Sequence, residues 1–179
     1  MDWQAIGAAL AAARRHLAAN PDERIVDDSV ARARLTSGLA TVVEGSAGQR
    51  LTTDMPAALG GGGTAATPGW TLRAAVASCT ATTIALRAAE LGVTLTRLEV
   101  AVASRSDDAG MIGLDDAAPP GPLDATLAVS LAGDGVPPGQ LDEIARWGIA
   151  HSAVADALAR AVPLEVRVEI APTGENTRA

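Results

Sequence analysis

Three side chains of this 179-residue sequence have the types and spacing for nucleophilic or redox chemistry: Cys79, Ser152 and His151. Cys79 is the single cysteine, set in ATPGWTLRAAVASCTATTIALRAAEL, from Ala66 to Leu91. A thiol attacks as its thiolate, so reactivity requires a neighbour that lowers its pKa. Without one, cysteine is a small buried hydrophobe, which is the plainer reading of Cys79. Ser152 falls on the apolar stripe of a later helix, where a hydroxyl commonly bonds back into its own backbone. His151 lies about 100° around the same helix and is a weak neighbour candidate. A cysteine–histidine pair has no obvious carboxylate to orient it, since Asp156 lies off the His151 face. A serine hydrolase needs its nucleophile on a sharp strand-to-helix turn, and Ser152 reads as mid-helix. His16, near the N-terminus, is weaker still.

Other chemistries are poorly supplied. One cysteine excludes an intrachain disulfide and a thiolate zinc cluster. The aspartate pairs at 107–108 and 115–116 lack the alternating ligand spacing of a calcium loop and read as solvated loop charges. The four glycines at 60–63 are not followed by the lysine and hydroxyl of a phosphate-binding loop, so they read as a flexible or tightly folded connection. No cofactor and no metal are expected. The net charge is −7, no basic cluster exceeds Arg14-Arg15, and the chain has no Phe, no Tyr and three Trp. That argues against nucleic acid, which needs cationic surface and stacking rings. Asp2 stands where a signal peptide would be positive, and no segment offers 18 uncharged apolar residues. The expectation is a cytoplasmic protein with no membrane partner.

The elements that must position these residues follow from periodicity. Residues 3–19 predict an alanine-rich helix ended by Asn20-Pro21. ARARLTSGLATVVEG, Ala31 to Gly45, predicts one strand bent or bulged at Gly38, returning through a turn at 45–48 to a short strand at 49–54. A long helix from about Trp70 to Leu91, closed by Gly92, is apolar on most sides and reads as the central helix. Leu95–Ser104 alternates, with Leu98, Val100 and Val102 on one face and Arg97 and Glu99 on the other. SDDAGMIGLDDAAPPGP predicts an irregular loop, and Leu123–Leu131 another strand. QLDEIARWGIAHSAVADALARAV predicts one helix with a stripe of Leu141, Ile144, Gly148, Ser152, Ala155 and Leu158, ended by Pro163. LEVRVEI, Leu164 to Ile170, is the cleanest alternation in the chain. This order gives an α+β fold, with an N-terminal antiparallel sheet, two long core helices and further strands. Residues 1–29 read as a peripheral helix and linker, 30–171 as the domain, and 172–179 as a polar tail.

The stretch TTDMPAALGGGGTAATPGWTLRAAVASCTATTIALRAAELG, with the strand LEVAV and the later AHSAVADALARAVPLEV, resembles the OsmC/Ohr family of organic hydroperoxide-reducing proteins. The resemblance runs over roughly residues 30 to 170, and its most specific part is ASCTATT. It implies an intertwined homodimer with active sites at the subunit interface, and a peroxidatic cysteine at Cys79. It also implies a resolving cysteine at the position of Ser152, within a His-Cys-Pro-Val type motif that here reads His151-Ser152-Ala153-Val154. Serine cannot form the resolving disulfide. The carboxylate that follows the family's proline is missing as well, because Pro68 is followed by Gly69. A cationic partner for the thiol has candidates by region only, in Arg32, Arg34 and Arg50.

Three functions follow. The first is a single-cysteine hydroperoxide reductase that uses Cys79 and an external thiol reductant on a small organic hydroperoxide. The second is a non-catalytic relative binding a small apolar ligand at the dimer interface. The third is a structural or interaction protein.

Overall fold

The computed structural model describes residues 2–160 and 162–170. The polar tail read at 172–179 lies outside the described residues. Helix α1 (Trp3–Ala19) begins where the Asp2 carboxylate accepts the amide of Ala5. Strands β1 (Ala31–Ser37), β2 (Ala40–Gly45) and β3 (Arg50–Thr53) follow as an antiparallel sheet in the order β1-β2-β3. The bent strand expected over 31–45 is therefore two strands. Gly38, at φ +55°, makes the chain reverse there, and the register irregularity lies just before it, between Leu35 and Ser37. The turn at 45–48 forms as expected, with Gly48 at φ +83°.

Asp54 ends β3 and organises the glycine-rich connection. Its buried carboxylate accepts the Met55 amide at 2.7 Å, the Thr64 amide at 3.0 Å and the Thr64 hydroxyl at 2.8 Å. The Thr64 amide and hydroxyl, then the amides of Met55 and Gly62, hold this carboxyl below its ordinary range. The tetraglycine is thus tightly folded around an internal anion. Gly61 must lack a side chain, because a Cβ there would come within 2.8 Å of the Met55 Cα.

The folded connection delivers the chain to helix α2 (Pro68–Glu90). Its start is fixed by the Thr67 hydroxyl, which accepts the Trp70 amide, and by Pro68 in the first turn. Gly92, at φ +68°, stops it. Val76, Thr80, Ile84 and Ala88 recur every fourth residue and are buried as one stripe. Helices α1, α4 and α5 and strand β4 contact α2, although Trp70, Leu72, Ser78 and Thr82 are exposed. Its central place is as expected.

Strand β4 (Arg97–Ser106) pairs antiparallel with β5 (Pro122–Ala132). Leu98, Val100 and Val102 turn inward while Arg97 and Glu99 face out, as the alternation requires. The loop between these strands contains a one-turn helix, α3 (Asp108–Met111). Asp107 caps α3 by accepting the Ala109 amide, and Asp115 closes a turn by accepting that of Ala117.

The expected second long helix is broken. Helix α4 (Pro138–Ala150) stops at His151, and α5 (Ala153–Ala159) restarts from Ser152. Two carbonyls of the last turn of α4 are taken by side chains. Thr83 Oγ1 donates to Gly148 O at 2.7 Å, and His151 Nδ1 lies 2.7 Å from Trp147 O. The Ser152 amide reaches Ile149 O instead, and Ser152 takes the extended conformation of an N-cap.

The core gathers Ile84, Ala88, Val93, Leu95 and Ile144, with Trp3, Leu98, Val100, Val129, Leu131 and Leu141 packed against it. Burial of each large aliphatic side chain contributes roughly 1.5–3 kcal/mol. Helix α1 joins through Trp3 and Gly7, whose missing Cβ lets α1 cross the Ala89 carbonyl oxygen.

Two regions stand apart. β1 is exposed along its whole length. LEVRVEI, expected as the cleanest strand, is irregular and exposed, with Leu164, Val166, Val168 and Ile170 between 72% and 90% accessible. It pairs with no strand among the described residues. Among the described residues no helix is long and apolar enough to cross a membrane.

Candidate functional site

Cys79 projects from α2 one residue before the buried Thr80, and it is half-buried. The helix break brings Ser152 against it. The sequence placed these two residues 73 positions apart on separate elements, and the structure joins them. Ser152 is fully buried and fully used. Its oxygen accepts the Thr80 hydroxyl at 3.0 Å and the Ala155 amide at 3.4 Å. A serine hydroxyl has two lone pairs and one hydrogen, so the remaining hydrogen is the one left for the Cys79 sulfur.

That arrangement decides the electrostatics of the thiol. The Ser152 hydroxyl, followed by the Val154 amide and then that of Ala153, lowers the Cys79 pKa against an opposing desolvation. The amides are available because the break leaves the first N–H groups of α5 without helical carbonyl partners. Hydrogen bonds account for the lowering, with no cation among its causes. Arg34 and Arg50 both close on Glu44 within the N-terminal sheet, and Arg32 is exposed on β1. None of the three arginines suggested by region serves the thiol within this chain.

His151 is not part of the cluster. Its ring is exposed and stacks on Trp147, with centroids 3.8 Å apart and planes 11° from parallel. It helps end α4 through the Trp147 carbonyl and leaves the sulfur to its neighbour. His16, also exposed, lies 2.7 Å from Glu23. Thr80 is the residue that sequence reading missed. Its signal was its place on the i, i+4 stripe of an apolar helix, where a hydroxyl needs a partner.

Within this chain the groups that lower the Cys79 pKa are thus a hydroxyl and two amides. The site contains no second sulfur to receive the oxidised product, because Cys79 is the only cysteine.

Comparison with known proteins bears on the fold. The family model described as OsmC-like protein matches residues 60–167. Among solved structures, an OsmC-like protein from Mycoplasma pneumoniae superposes with a TM-score of 0.63 at 14% identity, over 76% of this chain and 91% of that one. An organic hydroperoxide resistance protein from Legionella pneumophila gives 0.55 at 19% identity, over 75% and 91%. One from Elizabethkingia anophelis gives 0.52 at 16%, over 75% and 89%. No curated protein sequence matches the chain.

Proposed function

Given that the chain belongs to the OsmC-like protein family, we propose that it is a single-cysteine, thiol-dependent reductase of organic hydroperoxides. The observation that carries this reading is the half-buried Cys79 thiol beside the start of α5, where the Ser152 hydroxyl and the amides of Val154 and Ala153 lower its pKa. The thiolate attacks one peroxide oxygen and the O–O bond breaks. Sulfur keeps that oxygen as a sulfenic acid, and the other leaves as an alcohol after taking a proton. One external thiol then displaces the sulfenic oxygen as water and forms a mixed disulfide. A second external thiol releases Cys79 as the free thiol and leaves as the disulfide of the reductant.

The lowered pKa sets the pH dependence. A thiol depressed below the ordinary value of about 8.5 keeps its reactive thiolate at lower pH than free cysteine does. Alkylation of Cys79 followed against pH is expected to show its midpoint below that value. A dimedone adduct seen by intact mass after one equivalent of organic hydroperoxide, absent in Cys79→Ala, reports the sulfenic acid. A midpoint at or above the ordinary value, or no adduct, would sink the proposal.

The active unit in this reading is a homodimer. The exposed β1 and the exposed alternation of Leu164, Val166, Val168 and Ile170 support it, since a chain this size does not usually leave such surface open. Light scattering at micromolar concentration is expected to give twice the chain mass. A monomer at that concentration would reject the dimer while leaving the thiol chemistry to its own test.

A further inference from the structure

Arg73 is a charged residue of α2 that takes no part at the thiol. It lies six residues before Cys79, half-buried, where α2 passes β4. Its Nη1 donates to Ser104 Oγ at 3.1 Å. Among the described residues it forms no ion pair, whereas Arg105 on β4 closes on Asp124 and Arg87 on Glu143 and Glu90. A partly desolvated guanidinium presents five donors, and one serine oxygen uses one of them.

The space in front of this guanidinium has two parts. Beside Arg73, Gly69, Ser104 and Ser106 is a small cavity of about 40 Å³. That is room for a few water-sized groups. Val76, Val102, Ala125 and Leu158 line this cavity and also line a neighbouring recess of about 380 Å³. The recess continues past Leu127 and Ile149 and is walled almost wholly by aliphatic side chains. Its size falls in the range of small-molecule pockets. A cationic head with hydroxyl neighbours beside an open apolar groove suits an anion with an apolar chain.

We infer that this cavity binds a carboxylate carrying an apolar chain, with Arg73 holding the carboxylate and the chain lying along Val76, Val102, Leu127 and Leu158. The head space suits the planar carboxylate better than a bulkier phosphoester. The guanidinium fork matches its two oxygens. Gly69 explains why the position is open: a Cβ there would stand 3.9 Å from Arg73 Nη1, so an acidic side chain at 69 would reach the guanidinium and fill the place of the ligand. The site needs no chemistry from Cys79, so it stands or falls separately from the peroxide reading.

Calorimetric titration of the full chain with decanoate, kept below its micelle concentration, tests the assignment, with decanol as the uncharged probe of equal chain length. Decanoate is expected to bind and decanol to bind more weakly. Arg73→Gln should weaken decanoate by roughly ten- to a hundredfold and leave decanol unchanged. Gly69→Glu should abolish decanoate binding by supplying its own carboxylate. Cys79→Ala should bind as the parent does. If Arg73→Gln does not fold, Gly69→Glu alone carries the test. The inference is overturned if the parent does not bind decanoate at millimolar concentration, if decanol binds equally well, or if Gly69→Glu binds decanoate undiminished.

Discussion

Replacing Ser152 with cysteine is expected to let the chain resolve its own sulfenic acid without the external thiol. In S152C the new thiol stands where the serine hydroxyl bonds the Cys79 sulfur. After one equivalent of organic hydroperoxide, the sulfenic acid on Cys79 meets that thiol; water leaves and an S–S bond forms. Intact mass should show the loss of two hydrogens relative to the reduced chain, reversed by dithiothreitol. The disulfide closes a loop of roughly seventy residues, so the oxidised variant should gain about 4 kcal/mol of stability less any strain. The reduced variant should lose about 1 kcal/mol, because Ser152 caps α5 and accepts the Thr80 hydroxyl, and sulfur does both poorly. A sulfenic acid that persists without a disulfide would show that the two side chains do not meet in solution. Ser152→Ala is the companion: with the donor gone, the alkylation midpoint of Cys79 should move upward towards the ordinary thiol value.

Gly148→Ala is expected to damage the helix crossing that positions Ser152. A Cβ at 148 would sit 2.6 Å from both the amide nitrogen and the Cα of Ile84, closer than any real contact allows. These are backbone atoms of α2, so no rotamer change relieves them, and α4 must move away from α2. Overpacking of this kind costs about 3 kcal/mol, or roughly 6–12 °C in melting temperature for a domain this size. Displacing α4 also lengthens the Thr83–Gly148 hydrogen bond and carries Ser152 away from the sulfur. Thermal melts and alkylation profiles should therefore change together. Gly139→Ala, on the same helix with nothing within 4 Å of its Cβ, should change neither by more than a few tenths of a kcal/mol. Equal melting of the two variants at one protein concentration would contradict the close helix crossing.

What could be read from sequence was what local chemistry controls. Thr67-Pro68 and Gly92 bracket α2 because a cap and a left-handed glycine act within a few residues. The β4 alternation was legible because one face of that strand is buried by its own chain. The break at 151–152 was not. No proline or glycine marks it, and its cause lies partly in Thr83, far away in sequence. Ser152 therefore looked like a stripe residue, and its contact with Cys79 was given by family resemblance and not by periodicity. Gly38 misled in the other direction: β-branched residues on the following strand made a hairpin turn look like a bulge. Arg73 carried a signal that went unread, a charge on an apolar helix facing a strand whose inward row passes from valine to Ser104.

The exposed LEVRVEI stretch also bears on how this chain survives its own synthesis. Four aliphatic residues on one side of an extended segment make an open template for backbone pairing with any passing strand. Glu165, Arg167 and Glu169 occupy the positions between them, and Arg167 bonds Glu165. A flat stack of like segments would bring identical charges of each kind into register, which opposes fibril growth. A single sheet edge of the right length places those charges in water. The same seven residues thus discourage indiscriminate assembly while remaining free to join one sheet edge.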